Sequence, residues 1–407
     1  MLTIEQAVQR VLESCEELPA RRVPLSEAVG LVLAEPVASD VDVPPFAKSL
    51  MDGYAVRSAD LRAGVRRFRV VGEVLAGQQW GRALSSGETV RIMTGAPVPA
   101  GADAVVIVED TVTEARGSGQ WIRLVADPRE PQANVMARGA TIRHGDIVLR
   151  RGTLLGPAQI GLLAEVGCVE PLVWARPRVA VLATGDELVE AGCRPGPGQI
   201  RNSNGPMLAA AAGRAGADVV GTRLVPDDEA ALSQALTEAL AGADCVLLSG
   251  GVSMGKRDLV PAALEAVGVE KVFHRVRMRP GKPLWFGVHR RDGQTRLVFG
   301  LPGNPVSAFV GFCVFVRPAL KRLAHQPVRA LPLVPAALST SWQATARRPT
   351  FWPARAWYRE DGLVAEPLPW LGSPDLRTLA SADALVFVPE GEHEFCEGQR
   401  VSVLLVG

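Results

Sequence analysis

Three short segments in this chain set glycine beside hydroxyl, amide or carboxylate side chains directly behind an apolar run, the pattern of a ligand-holding loop at a strand end. They are Thr184-Gly185-Asp186-Glu187, Ser249-Gly250-Gly251-Val252-Ser253-Met254-Gly255-Lys256-Arg257-Asp258, and Gly300-Leu301-Pro302-Gly303-Asn304-Pro305. The first offers a hydroxyl and two carboxylates at the expected opening of a helix, suited to hydroxyls, amino groups or a cation; the competing assignment is a plain helix cap. The glycines of the second free backbone N–H groups to approach an anion, and the following helix would present its positive end, which argues for a phosphate or another oxyanion. Positions 250–256 satisfy G-x-x-x-x-G-K. A nucleotide-binding P-loop continues with a Ser or Thr that holds Mg²⁺, whereas Arg257 follows here and no Walker B partner stands out, which speaks against a P-loop NTPase. A fourth segment, Arg275-Val276-Arg277-Met278-Arg279-Pro280-Gly281-Lys282-Pro283, places three arginines on one face if extended, followed by a lysine in a Pro-flanked turn. It could hold a multiply charged anion or be a solvated strand face paired with acids. Met51-Asp52-Gly53-Tyr54 and Met93-Thr94-Gly95-Ala96-Pro97 are two further polar loops that, taken singly, read as turns.

These loops need a scaffold, and its rhythm is visible. From 176 to 324, short apolar runs such as Val179-Ala180-Val181-Leu182 and Cys245-Val246-Leu247-Leu248 alternate with helical patterns at 206–215, 228–241, 260–267 and 305–323, the first and last with Pro at an N1 position. This predicts a parallel α/β sheet, in which ligands gather at the carboxyl ends of the strands. Between 41 and 128, alternating runs separated by Gly and Pro predict a small β domain, and 328–407 predicts another. An amphipathic helix is expected over 3–17, with Thr3 and Gln6 forming a capping box, and a short helix over 157–166.

The composition narrows the function classes. Forty-four Lys and Arg against forty-three Asp and Glu leave a net charge of +1, so no global charge draws the chain to nucleic acid or an anionic membrane, and the arginine-rich segment lacks the interleaved aromatics of an RNA site. The longest uncharged apolar stretch, 299–316, is interrupted by Gly303, Asn304 and Pro305, poor material for a lipid-exposed span. No signal-peptide pattern opens the sequence, and the six cysteines show no C-x-x-C spacing, so a cytoplasmic location with reduced thiols is expected. The five histidines are dispersed, without H-E-x-x-H or Ser-His-Asp order. At 407 residues, 47% hydrophobic, about three or four domains are expected.

Taken together, the loops resemble the MoeA / gephyrin E-domain family, the molybdopterin molybdenumtransferases, across nearly the whole chain. The resemblance rests on Pro44-Pro45-Phe46 with Ser49-Leu50-Met51-Asp52-Gly53-Tyr54-Ala55-Val56, Met93-Thr94-Gly95-Ala96-Pro97 with Gly101-Ala102-Asp103-Ala104-Val105-Val106, Thr184-Gly185-Asp186-Glu187-Leu188, Gly250-Gly251-Val252-Ser253-Met254-Gly255, Arg279-Pro280-Gly281-Lys282-Pro283 and Leu301-Pro302-Gly303-Asn304-Pro305. It implies a multidomain α/β and β fold with a central three-layer α/β molybdopterin-binding domain, smaller β domains and an elongated subunit. The implied domains are 1–40 with 130–175 (linker and dimerisation), 41–129 (a small β domain bearing Met51-Asp52-Gly53-Tyr54), 176–327 (α/β) and 328–407 (carboxyl-terminal β).

The reaction implied is that of adenylylated molybdopterin with molybdate to give molybdenum cofactor and AMP, with Mg²⁺ as the cation. The implied partners are a second copy of the chain, completing the site in a homodimer, and a molybdopterin adenylyltransferase as substrate donor. Carried over by resemblance, Thr184, Gly185, Asp186, Glu187, Ser249, Gly250, Gly251, Ser253, Lys256 and Asn304 line the pterin and nucleotide pocket. Asp258 and Asp186 serve the metal. Asp52 and Thr94 complete the site across the dimer, and Lys282, with Pro283 beside it, matches the molybdate-binding lysine. Arg279 stands where the family usually has another lysine, and Arg355 and Ser381 resemble the remaining molybdate contacts. There are departures. Lys256 occupies a position usually Asp or Glu, where an ammonium would repel Mg²⁺ and attract phosphate; Ala140-Thr141 replaces a usual Glu-Asp pair, and Ala47 a frequent Asp. They keep open a second reading, a weakened paralogue that binds molybdopterin or molybdate as carrier, regulator or scaffold.

Overall fold

The computed structural model describes residues 1–116, 119–126, 134–251 and 259–406, and the chain divides into two compact units. One comprises Met1–Arg22, Gly30–Ala34 and Leu172–Gly407; the other comprises Val23–Val29 and Glu35–Pro171.

Helix α1 (Ile4–Glu13) opens the first unit with the expected capping box, Thr3 and Gln6 each accepting from the other's backbone N–H. Its Ile4, Ala7, Val8 and Val11 are buried, each larger one adding roughly 1.5–3 kcal/mol by leaving water.

The second unit is built on a six-stranded sheet of β1 (Gly53–Val56), β2 (Arg67–Val74), β3 (Glu88–Ile92), β4 (Ala104–Ile107), β5 (Thr111–Arg116) and β6 (Gly119–Leu124). The strand order is β4-β1-β3-β2-β6-β5, with only the β2–β3 pair parallel. Its faces bury Tyr54, Phe68, Val106 and Ile122 on one side and Ala55, Val90, Ile92 and Val105 on the other. The expected short helix is α2 (Pro157–Glu165), whose missing proline N–H costs nothing at N1.

In the first unit, residues 178–301 form a second six-stranded sheet from β7 (Arg178–Thr184), β10 (Asp218–Val225), β11 (Cys245–Ser249), β12 (Glu270–His274), β13 (Trp285–Arg291) and β14 (Gln294–Leu301), in the order β10-β7-β11-β14-β13-β12. Two small strands, β8 (Leu188–Val189) and β9 (Ile200–Arg201), pair with each other outside it. The sheet is mixed where a parallel one was expected: β10, β7, β11 and β14 are parallel, but β13 pairs antiparallel with both β14 and β12. The cause is the tight turn at Asp292-Gly293, both with positive φ, which returns β14 directly against β13.

Helices α3 (Asn204–Arg214), α4 (Glu229–Gly242), α5 (Val260–Ala266), α6 (Pro305–Gly311) and α7 (Arg317–Leu323) cover the sheet. Two expectations are corrected here. Helix α3 begins at Asn204, so Pro206 sits in its third position rather than at N1. The helix expected over 305–323 is interrupted by a π turn at Phe312–Val316; Pro318, which has no N–H to continue an α ladder, follows at the start of α7.

The remaining chain forms a closed barrel of β15 (Leu333–Leu338), β17 (Thr350–Arg359), β18 (Gly362–Pro367), β19 (Ala384–Val388) and β21 (Arg400–Leu405), ordered β15-β18-β17-β19-β21. A ribbon of β16 (Trp342–Ala346) and β20 (Gly391–Phe395) flanks it, and the short helix α8 (Leu376–Ala380) precedes β19. Phe351, Leu379, Leu385 and Leu404 of this part join Ile4, Val8, Phe286, Phe299 and Phe315 in one apolar core. Among the described residues no helix is long and apolar enough to cross a membrane.

Candidate functional site

The carboxyl ends of β7, β11 and β14 meet at a polar cavity of about 660 Å³. Of the residues singled out in the sequence, Thr184, Gly185, Glu187, Ser249, Gly250, Gly251, Pro283 and Asn304 line it. Gly250, just past β11, packs tightly against the end of β7: its φ is +101°, and a Cβ there would stand 2.2 Å from the Thr184 carbonyl oxygen. Its N–H donates to the Leu301 carbonyl at 3.2 Å. That bond corrects the expectation that this N–H is free for an anion; it stitches β11 to β14 instead. Ser253, Lys256 and Asp258 lie outside the described residues, and so do Val252, Met254, Gly255 and Arg257.

The Thr184-Gly185-Asp186-Glu187 segment does not open a helix. It turns at Asp186-Glu187, where the Leu188 N–H donates to the Gly185 carbonyl at 3.0 Å, and runs into β8. Its side chains are therefore not helix caps. Thr184 Oγ1 donates to Asp227 Oδ1 at 2.5 Å, and the Asp227 N–H donates to Asp186 Oδ1 at 3.1 Å, so a hydroxyl and two carboxylates converge at the end of β7. Asp227, two residues after β10, is a site residue that sequence reasoning missed; the adjacent Asp227-Asp228 pair was the available signal, of which only Asp228 was read, as the start of the helix expected over 228–241.

Two asparagines were also missed. Asn204, nearly buried at 8% exposure, donates through Nδ2 to Ser249 Oγ and to the Gly303 carbonyl, both at 2.7 Å. The carbonyl can only accept, which fixes the amide's orientation, and Asn204 Oδ1 is left without a partner on the cavity wall. Asn202 Oδ1 accepts from the Gly205 N–H at 2.9 Å and starts α3. Asn304 Nδ2 donates to Ser373 Oγ at 3.0 Å, and Pro374 and Leu376 from the barrel segment also line the cavity. Among the described lining residues Arg201 is the one cation, its Nε donating to the Cys193 carbonyl at 2.9 Å.

The arginine-rich segment departs from a strand. Arg275 adopts a positive φ of 72° and ends β12, although Val276, Met278 and Pro280 stay buried while Arg277 and Arg279 are exposed. Arg277 is ion-paired with Glu390, so the three arginines are not one free cationic face. The Arg279 guanidinium lies 5.5 Å from the ring centre of Trp370. Lys282 is exposed in the turn that leads to Pro283. Arg355 lies on β17, and Ser381 caps the carboxyl end of α8, its Oγ donating to the Arg377 carbonyl at 3.4 Å. Neither lines the cavity. They share one corner of the barrel, because Ala354 and Ala356 on either side of Arg355 both hydrogen-bond Asp383.

Asp52 and Thr94 belong to the other compact unit, where two loops are laced together. The Ser49 N–H donates to the Ala96 carbonyl at 3.0 Å, and the Gly95 N–H to the Ser49 carbonyl at 2.8 Å. Beside them, Gly53 lets β1 lie close against β4, since a Cβ on it would meet the Val106 oxygen at 2.1 Å. Asp52 Oδ1 accepts from both the N–H and the hydroxyl of Thr94 at 2.7 Å. Those two bonds, the backbone one first, hold the Asp52 carboxyl below its ordinary range, so it is charged at neutral pH.

Family comparisons agree with this architecture along the chain. Residues 2–167 match the MoeA N-terminal region (domain I and II), 180–322 a probable molybdopterin binding domain, and 335–406 the MoeA C-terminal region (domain IV). A molybdopterin molybdenumtransferase of Staphylococcus aureus is 34% identical over 99% of this chain and 95% of its own, and one of Staphylococcus epidermidis is 31% identical with the same coverage. A molybdopterin biosynthesis MoeA protein from Pyrococcus horikosii has the same fold, with a TM-score of 0.81 at 32% identity over 100% of this chain and 99% of its own. On this full-length similarity and shared fold, the chain belongs to the MoeA family of molybdopterin molybdenumtransferases.

Proposed function

We propose that this protein inserts molybdenum from molybdate into adenylylated molybdopterin, forming molybdenum cofactor and releasing AMP. The observation that carries the reading is the polar cavity at the ends of β7, β11 and β14, which is large enough for a pterin joined to a nucleotide and lined by hydroxyls, amides and carboxylates. Thr184, Ser249, Asn204 and Asn304 would bind the uncharged edges of the ligand, the orphaned Asn204 Oδ1 accepting from a ligand N–H or O–H. Arg201 would pair with a phosphate. Arg279 and Lys282, exposed in one turn with Pro283 on the cavity wall, would take the molybdate; Arg355 and Ser381 are its further contacts in this proposal. Gly185, Gly250 and Gly251 let the backbone pass close to the ligand, Glu187 orients ligand donors, and Ser253 and Lys256 would act from outside the described residues.

The cation fits a weak protein donor set. Among the described residues no three His, Cys, Asp or Glu side chains form a cage, but Mg²⁺ is commonly held by one or two carboxylates together with substrate phosphates. Asp186 and Asp227, joined through the Asp227 N–H, would hold it, with Asp258 as a third candidate. Bound there, Mg²⁺ would neutralise charge on the phosphates bridging pterin and AMP. The protein's own part is to hold both carboxylates in place, which the Thr184 hydroxyl does for Asp227.

The proposal extends to a homodimer in the cytoplasm, fed by a molybdopterin adenylyltransferase, in which Asp52 and Thr94 of one copy complete the site of the other. Supporting this, Asp52 is charged and exposed, and among the described residues Thr94 is the one that hydrogen-bonds its side chain. The test is purified protein with adenylylated molybdopterin, molybdate and Mg²⁺, following AMP. Stoichiometric AMP that requires molybdate is expected. Tight ligand binding without AMP would refute the transferase and leave the carrier reading, which Lys256 favours.

A further inference from the structure

Arg279 belongs by sequence to the α/β part of the first unit, yet what holds it comes from the carboxyl-terminal barrel. Its N–H donates to the Pro349 carbonyl and its carbonyl accepts from the Phe351 N–H, both at 2.8 Å, a bridge to the first residue of β17. Its guanidinium lies over Trp370. That ring is itself fixed: Trp352 meets it edge-on with centres 5.2 Å apart and an 80° interplanar angle, and Trp352 Nε1 donates to the Leu368 carbonyl at 2.8 Å. Trp342 then packs edge-on against Trp352 and stacks on Phe395.

Beyond Trp370 the same segment reaches Ser373, whose Oγ accepts from Asn304 and whose carbonyl accepts from the Val306 N–H at 3.1 Å, and Pro374 on the cavity wall. One strap thus touches both Arg279 and the cavity. An arginine seated on an indole face loses rotational freedom but keeps its in-plane N–H fork for an anion, whereas a free exposed arginine must be ordered when the anion binds.

We propose that Trp370 is a positioning residue for the oxyanion subsite: its indole face seats the Arg279 guanidinium so that the fork, together with Lys282, meets the substrate oxyanion. The inference rests on the assignment of Arg279 and Lys282 to molybdate made above. Arg279 touches the anion, and Trp370 acts through it. A cation–π contact at an exposed site is worth about 0.5–1 kcal/mol, which corresponds to about a two- to fivefold change in affinity.

The experiment measures AMP release with molybdate varied at saturating adenylylated molybdopterin, alongside calorimetric binding of molybdate to the unreacted protein, for Trp370→Ala, Trp370→Phe, Arg279→Ala, Lys282→Ala and the Arg279→Ala/Trp370→Ala double variant. Trp370→Ala is expected to raise the molybdate KM and Kd by about two- to fivefold while kcat and the KM for the pterin substrate stay unchanged. Trp370→Phe, which keeps a ring face, should recover most of the loss. In the Arg279→Ala background the tryptophan change should add nothing. An equal effect in both backgrounds, a fall in kcat at constant molybdate KM, no effect of Trp370→Ala on molybdate, or a Trp370→Phe variant as impaired as Trp370→Ala overturns the proposal. Lys282→Ala separates the two levels. If it raises the molybdate KM and Trp370→Ala does not, only the seating of Arg279 fails; if it leaves molybdate binding unchanged, the molybdate assignment fails and the proposal with it.

Discussion

Replacing Gly250 by alanine tests whether the site's geometry is fixed by one backbone position. Its φ of +101° is one that residues with a Cβ rarely adopt, and such strain costs roughly 1–3 kcal/mol. The new methyl would also stand 2.2 Å from the Thr184 carbonyl oxygen, so β7 and β11 must part by about 0.8 Å even to reach the 3.0 Å limit of real contacts. Parting them strains the Gly250–Leu301 hydrogen bond on the other side, worth about 1 kcal/mol. The sum is about 2–4 kcal/mol, a large share of a typical domain's stability of roughly 5–15 kcal/mol. Urea unfolding followed by circular dichroism reads the stability, and equilibrium binding of adenylylated molybdopterin reads the site. Gly213→Ala is the control: Gly213 is inside α3 with nothing within 4 Å of the added Cβ, and alanine should stabilise it by roughly 0.5–1 kcal/mol. The loop could relax by giving up either stability or ligand affinity. If Gly250→Ala loses neither, the close approach of β7 and β11 does not constrain the site and the reasoning is refuted.

Thr94→Val removes the hydroxyl donor to Asp52 but keeps the backbone one. Because both donors hold the Asp52 pKa down, it should rise toward the ordinary carboxylate range, and the acid limb of AMP release should move to higher pH; an unchanged Asp52 titration by carbon-13 NMR would contradict this. Glu88 accepts from Arg82, the Ser85 N–H and Arg69, which push its pKa from 4.5 to about 2. A carboxyl depressed in the folded state stabilises it fully above about pH 4.5 and loses that contribution as pH falls through about 2. Urea titrations of the protein and of Glu88→Gln should therefore differ near neutrality and converge at the acid end; a gap that persists at pH 2 would show that Glu88 acts through packing instead.

Much of the fold was legible because it is written locally. The Thr3–Gln6 box, the apolar runs of β7 and β11, and the alternation in β2 and β3 depend on neighbours a few residues away. What failed depends on distant partners. Thr184 to Glu187 has the residue types of a helix cap, but Leu188 and Val189 pair with Ile200 and Arg201, and that ladder decides the conformation. The alternation of Arg275, Arg277 and Arg279 suggested a strand, while the left-handed turn at Arg275 goes with the bond from its N–H to the Leu284 carbonyl and the claim on Arg277 comes from Glu390 in the carboxyl-terminal part. Asp227, Asn204 and Pro374 reach the cavity from three separate stretches of chain. Reading the glycine loops located the cavity; its polar walls required the tertiary contacts.

The placement of α1 bears on how the chain is made. Its buried face packs against the π turn and α7, and Cys15 Sγ reaches the Ala319 carbonyl across 304 residues at 3.9 Å. At synthesis rates of roughly 5–20 residues per second, α1 waits about 15–60 s after its own synthesis for the surface that covers it. During that time Ile4, Val8 and Val11 are an uncovered apolar stripe on a nascent chain, and holding that stripe apart from other chains becomes a task for the cell before the core can close.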